Sequence, residues 1–180
     1  MSVQIRRLTG AGPTGTDITS INTRANAEDA HSTAGTSNPI RKPDAGSNYS
    51  YWVTTQLYYN GTDTGTINNI EWYSDGDNGM GTGIGVIGNT ADSYVQATGT
   101  AGTTGTELTT GNHAGLTGTP ANVFTHTSAS PKAVDGSVTD PSDEYFGDRF
   151  VYQVTVGTTA SGGATASETF TWRYDSTIAE

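Results

Sequence analysis

The sequence predicts an all-β fold, an antiparallel β-sandwich of Ig-like or jelly-roll-like type carrying an extended N-terminal arm. Three observations point there. Phe150, Tyr152, Val154 and Val156 alternate with Val151, Gln153 and Thr155, and after a Gly/Ser/Thr loop the run Glu168 to Tyr174 sets Phe170, Trp172 and Tyr174 against Thr169, Thr171 and Arg173. Period-two alternation of β-branched and aromatic residues marks half-buried strands, so these two runs read as a hairpin with one apolar and one wet face. Further runs of this kind recur at roughly ten-residue spacing with turn residues between them, the pattern of a sandwich. No stretch sustains a helical period. A lone hairpin is marginal, so its apolar face requires a second sheet.

Taken in order, Val3 to Leu8 is a short strand stopped by Thr9-Gly-Ala-Gly-Pro13, and Asp17 to Asn22 is a weaker one. Residues 23–47 are poor in apolar side chains and include Gly35, Pro39, Pro43 and Gly46. So long a loop is uncommon in a compact domain unless it is functional or draped over something else. The domain division expected is therefore an arm over residues 1–43 and a sandwich over 44–180, with residues 9–47 extended and making few contacts to their own body.

Tyr49 to Tyr59 is the longest strand candidate, followed by Asn60-Gly61, a strong tight-turn dipeptide, and by Thr66 to Tyr73 as its partner strand. Gly83 to Gly88, Ser93 to Gly99, Ala121 to Thr127 and Ala133 to Val138 are shorter strands, and residues 98–119 are Thr-Gly-rich, a long loop or short edge strands near Glu107 and Leu108. An acidic loop, Asp140 to Asp148, leads into the final pair. Val53, Leu57, Ile70, Trp72, Tyr152, Val154, Phe170 and Trp172 are the expected core.

Hydrophobic content is 32% and charged content 14%, with 24 glycines and no cysteine. These values lie below globular averages of roughly 45–50% and about 25%, yet 9% of residues are aromatic and sit inside the alternating runs. That combination describes a folded β-protein with long polar loops, not disorder. No disulfide or Cys-ligated metal is possible. The start, Met1 to Leu8, lacks the apolar stretch of a secretory signal, and no window approaches the ~20 apolar residues of a membrane span. A product made in a cytoplasm, with no membrane partner, is expected.

The net charge of −10 is unevenly placed. Residues 1–43 carry Arg6, Arg7, Arg24, Arg41 and Lys42 against Asp17, Glu28 and Asp29, whereas the remainder carries three basic residues against fifteen acids. An acidic body repels phosphates, so nucleic acid is not an expected partner. A mildly basic leader reads either as an arm docking on another protein, through Val3, Ile5, Arg6, Arg7, Leu8, Arg24, Arg41 and Lys42, or as a plain tail.

Signals for chemistry are weak. Asp75-Gly-Asp-Asn-Gly79 places oxygens at alternate positions, as calcium loops do, but lacks the distal Glu and the flanking helices. Asp140, Asp143, Glu144 and Asp148 suit a hard cation such as calcium as well; a solvated acidic loop is the simpler reading, and no cofactor is expected. His31, His113 and His126 share no ligand spacing. No Gly-x-Ser-x-Gly elbow, phosphate-binding glycine motif or marked carboxylate pair is present, so an enzyme is not expected. Trp52 lies on the face opposite Tyr51 and Val53, beside Ser50 and Thr54, which predicts an exposed ring available for a contact.

In the leader Met1 to Pro13, the Thr66 to Tyr73 run and Gly157 to Tyr174, the chain resembles small structural proteins of tailed bacteriophages, particularly capsid decoration and minor head or tail proteins. That resemblance implies a non-enzymatic virion protein, assembled in the host cytoplasm, that binds major capsid or other virion proteins as a homo-oligomer such as a trimer. Strand addition and burial by the arm would supply the affinity. The alternatives are a carbohydrate- or receptor-binding module built on exposed aromatics, or a tail or neck component.

Overall fold

A computed structural model of the protein describes residues 2–33 and 37–178, to which every count below refers. Thirteen strands follow one another: β1 (Ser2–Thr9), β2 (Thr14–Asp17), β3 (Ser47–Tyr49), β4 (Val53–Thr62), β5 (Thr66–Ser74), β6 (Ile84–Ala91), β7 (Gly99–Thr100), β8 (Thr104–Gly105), β9 (Ala121–Asn122), β10 (Lys132–Ala133), β11 (Val138–Thr139), β12 (Ser142–Gly157) and β13 (Phe170–Ser176), with one 3-10 turn at Val123–Thr125. Sheet A has the order β2-β1-β4-β12-β6-β9, with β3 paired to β12. Sheet B is built on β5, flanked by β10 and β11 on one side and β13 on the other; β7 and β8 form a small separate hairpin. All pairings are antiparallel, and the two large sheets pack face to face as a β-sandwich.

The core between the sheets contains Val53, Leu57 and Tyr59 of β4, Ile67, Ile70 and Trp72 of β5, Val86 of β6, and Phe146, Phe150, Tyr152 and Val154 of β12. Trp72 is 1% exposed and stacks on Phe150 at 3.7 Å, interplanar angle 9°. Alternation supplies these residues: one face of each strand points inward, so every second side chain is apolar. Six of the eight expected core residues are buried; Phe170 and Trp172 are half-buried, because β13 forms an outer edge of sheet B.

The last two strands are not a hairpin. β12 lies inside sheet A between β4 and β6, and the loop 158–169 carries the chain across to sheet B, where Trp172 sits directly opposite Trp72 of β5. Alternation identifies a strand and its inward face; it carries no information about the neighbour. The same limit explains β4 and β5, expected to pair with each other and placed in different sheets. Nor does the chain turn at Asn60-Gly61. β4 runs on to Thr62, with Asp143 Oδ1 accepting the Gly61 N–H at 2.8 Å. β12 bends at two register shifts, and Gly147 (φ 64) allows the second: a Cβ there would lie 2.6 Å from Ile70 Cδ1.

The leader is not a free arm. β1 pairs along β4 from Ser2↔Asn60 to Leu8↔Thr54, and β2 pairs back onto β1. The second strand is Thr14–Asp17, earlier than Asp17 to Asn22. Beyond it the chain drapes over the body: Tyr51 N–H donates to the Asn26 carbonyl, Gly102 N–H to the Ala27 carbonyl and Arg41 N–H to the Thr103 carbonyl, at 2.9, 3.0 and 2.9 Å. Ala27 is fully buried. Few apolar residues suffice here because backbone hydrogen bonds anchor the segment. Residues 34–36 of the expected arm, and Met1, lie outside the described residues.

The outer face of sheet A has a covered and an open half. Over the covered half, Ala27, Tyr51, Trp52, Ala91, Ala97, Leu108 and Val151 form a second apolar cluster beneath residues 92–119. The run Ser93 to Gly99, expected as a strand, belongs to this irregular cover. Gln153, on the face expected to be wet, is 0% exposed. Its Oε1 accepts the Leu108 N–H at 2.7 Å, and its Nε2 donates to the carbonyls of Ser50 and Thr106 at 2.7 and 2.8 Å.

Candidate functional site

The open half of the same face is built by strand register. Tyr145 of β12 lies directly opposite Tyr58 of β4, and Tyr58 directly opposite Gln4 of β1, so all three side chains leave the sheet on one side together with Arg6. The two rings meet edge to face, centroids 4.9 Å apart at 69°. The Arg6 guanidinium lies 3.4 Å above the Tyr58 ring and 5.8 Å from that of Tyr145, and its Nε donates to Gln4 Oε1 at 3.0 Å. Tyr145 reaches as far as β2, where a Cβ on Gly15 would stand 1.9 Å from its hydroxyl oxygen. Only glycine admits the ring there. The result is a fixed ridge across four strands, with Tyr145 38% exposed. Cation–π contact and the two-χ rigidity of tyrosine hold it in place.

The structure distributes the expected arm residues among different roles. Val3 and Ile5 point inward and pack against the main core, and Leu8 is buried. Arg7 is 1% exposed; its Nη1 donates to Thr23 Oγ1 at 2.7 Å and to the Arg24 carbonyl, and Nε has no hydrogen-bond partner. Burial lowers the Arg7 pKa, opposed by Tyr152, Asp29 and Glu28. It is a structural cation pinning the draped segment. Arg41 donates from Nε to the Gly102 carbonyl at 3.2 Å, while the side chains of Arg24 and Lys42 are exposed. Of the basic set, only Arg6 joins the aromatic ridge.

Trp52 is a correction. It is 4% exposed, its indole N–H donates to the Val95 carbonyl at 2.9 Å, and its ring meets His113 edge-on at 5.4 Å. Trp52 lies on the outer face, apart from Val53 as expected, but Tyr51 joins it in the same outer cluster because both residues precede β4, and that face is covered by a loop whose role its Thr/Gly composition does not announce. What sequence reasoning missed is Tyr145 and its pairing with Tyr58. The Tyr145 segment read as an acidic loop, though Phe146 and Phe150 share one parity.

Carboxylates serve the turns. Asp75 Oδ1 accepts Asp77 N–H, and Asn78 Oδ1 accepts Met80 N–H, at 3.0 and 3.2 Å. Asp140, Asp143 and Glu144 accept the backbone amides of Gly65, Gly61 and Ser142 at 3.0, 2.8 and 3.2 Å. Burial raises the pKa of Asp148, helped by Asp135 and Asp92, and burial likewise raises that of Glu168, helped by Asp75 and Asp77. Among the described residues no three His, Cys, Asp or Glu side chains gather as metal ligands. The three histidines stay apart: His31 Nδ1 meets Thr23 Oγ1 at 3.0 Å, His113 lies under the cover, and His126 is half-buried beside β5. A shallow depression on sheet B, lined by Asn69, Ile70, Glu71, Ala133 and Asp175, has its polar groups paired internally, Asn69 Nδ2 with Asp175 at 2.7 Å and Glu71 with Arg173 at 2.7 Å.

Comparison with protein-family models, with curated proteins and with solved structures finds no match for this chain.

Proposed function

We propose that the chain is a non-enzymatic structural protein of a tailed-phage particle, of the decoration or cement type, that docks on coat subunits through the open half of sheet A. The observation that carries this reading is the Arg6–Tyr58–Tyr145 ridge. Tyrosine and arginine dominate the energetic centres of protein interfaces, and a pre-set cluster loses little side-chain freedom on binding. The leader contributes as strand β1 and as the position of Arg6 in that surface, not as a flexible clasp. The acidic body, which accounts for the net charge of −10, would face solvent and keep neighbouring copies from non-specific association. The resemblance in the leader, in Thr66 to Tyr73 and in Gly157 to Tyr174 supports the virion assignment.

The test is co-sedimentation with capsid shells of the source phage, comparing the parent with Tyr145→Ser and Arg6→Ala. Both variants should fold as the parent does and lose binding at least about tenfold, the range of an interface centre. Unchanged binding by both removes this surface from the assignment. Light scattering on the free chain separates placements: a trimer favours head decoration, a larger ring the neck or tail. Binding to glycans instead of shells would favour the recognition-module reading, for which the exposed Tyr145 ring is the available platform.

A further inference from the structure

The cover over sheet A carries a buried titratable group apart from the Arg6–Tyr58–Tyr145 ridge. His113 is 0% exposed, and neither Nδ1 nor Nε2 has a hydrogen-bond partner. Its ring rests edge-on against Trp52 at 5.4 Å, 62° between planes. The turn holding it is closed by its own main chain, His113 N–H to the Thr109 carbonyl at 2.9 Å and Leu116 N–H to the His113 carbonyl at 3.1 Å. A neutral imidazole in this place leaves one N–H and one lone pair unpaired; an imidazolium would add a full buried charge.

The charged groups facing the ring come from the strands below. Asp92, at the end of β6, favours the proton; Arg149 of β12 opposes it, and its Nη1 is tied to the Asp92 carbonyl at 2.8 Å. Glu107 is the sole charged residue of segment 93–119 and is exposed, acting on Tyr49 instead. Burial is the largest influence on His113 and pushes its pKa below 6.5, although its own backbone and Asp92 both favour the proton.

We propose that residues 106–119 form an acid-released cover, in which protonation of His113 detaches the segment from sheet A and uncovers Trp52 and Val151. The sign follows from linkage. The closed cover prefers the neutral ring, whereas the released segment titrates near the ordinary value of about 6.5. Closure is therefore complete above that pH and is lost as pH falls. The open-to-closed ratio rises about tenfold per unit until the lowered pKa of the closed state is reached.

The deciding measurement is amide exchange at Leu108, whose N–H is held by Gln153 Oε1 at 2.7 Å. It is followed from pH 7.5 to 4.5 and corrected for intrinsic chemistry, with tryptophan emission and far-ultraviolet dichroism alongside. Opening at Leu108 should grow about tenfold per unit below pH about 6.5 while the sheet signal is unchanged, emission should shift to the red, and His113→Phe should abolish the dependence. Opening at Leu108 that is independent of pH, the same dependence in His113→Phe, or melting of the whole sheet in the same step would each overturn the proposal. Should His113→Phe fail to fold, the imidazole resonance of the parent decides. Titration near 6.5 with Leu108 still protected refutes a released cover, and titration that tracks the loss of protection supports it.

Discussion

Gln153→Leu is the sharpest probe of how the cover is fastened. The side chain sits in the C-terminal half of β12, 0% exposed, and makes three hydrogen bonds, to Leu108 N–H, the Ser50 carbonyl and the Thr106 carbonyl. Leucine matches its volume and removes all three, leaving one buried donor and two buried acceptors unpaired. Each orphaned group costs about 1–3 kcal/mol, and two of the three belong to a loop that can relax toward water, so the expected loss is about 3–5 kcal/mol. Against a total stability of roughly 5–15 kcal/mol that is a large fraction. Gln153→Glu sharpens the reasoning: an ionised carboxylate can still accept from Leu108 but faces two carbonyls it cannot donate to. It should be less stable than Gln153→Leu at pH 7 and recover partly on acidification, when the carboxyl regains a donor. Urea unfolding measures both, with Leu108 exchange as the local readout. A Gln153→Leu protein within about 1 kcal/mol of the parent and still protected at Leu108 would refute the view that this network holds the cover down.

Two further outcomes follow from burial and ionisation. Trp72→Ala should cost about 3–5 kcal/mol, whereas Trp172→Ala, half-buried at the sheet edge, should cost only about 1–2 kcal/mol; equal losses in calorimetry would contradict the placement of β13 at an edge. Tyr59, bound to Asp63, and Tyr94, desolvated with its hydroxyl on the Gly10 carbonyl, are both pushed up to about 12. Their folded pKa values exceed the unfolded value of about 10, so stability should hold up to pH about 10 and fall as pH rises toward 12. Absorbance titration at alkaline pH should find these two phenols, with the buried Tyr152, ionising well after the exposed tyrosines, and Tyr94→Phe should weaken the alkaline loss.

The strands and their inward faces were legible because alternation reports directly on burial: Val53, Leu57, Ile70 and Trp72 needed only parity. What parity does not report is the neighbour, hence the reassigned partner of β13 and the separation of β4 from β5 into two sheets. The arm misled for a related reason. Residues 23–33 and 37–43 look unable to fold because they carry few apolar side chains, yet main-chain groups of Asn26, Ala27 and Arg41 anchor them to the body. Covering of the second face was legible in one residue only, Val151, an apolar side chain on the face that Gln153 and Thr155 made look wet. The ridge of Arg6, Tyr58 and Tyr145 depends on three distant segments meeting in register, and Gly15 shows its purpose only once Tyr145 lies over it.

The position of β12 has a consequence for how the molecule comes into being. Sheet A is ordered β2-β1-β4-β12-β6-β9, so the strand that joins its two halves leaves the ribosome after eleven of the described strands. Until Ser142–Gly157 emerges, β4 and β6 each show an unsatisfied edge to the cell, with Phe150 missing from beneath Trp72. Closure depends on contacts distant in sequence, which makes folding slow. Chains stalled before residue 157 would be sticky, edge-exposed species, and yield during expression would depend on how quickly this one strand slides home.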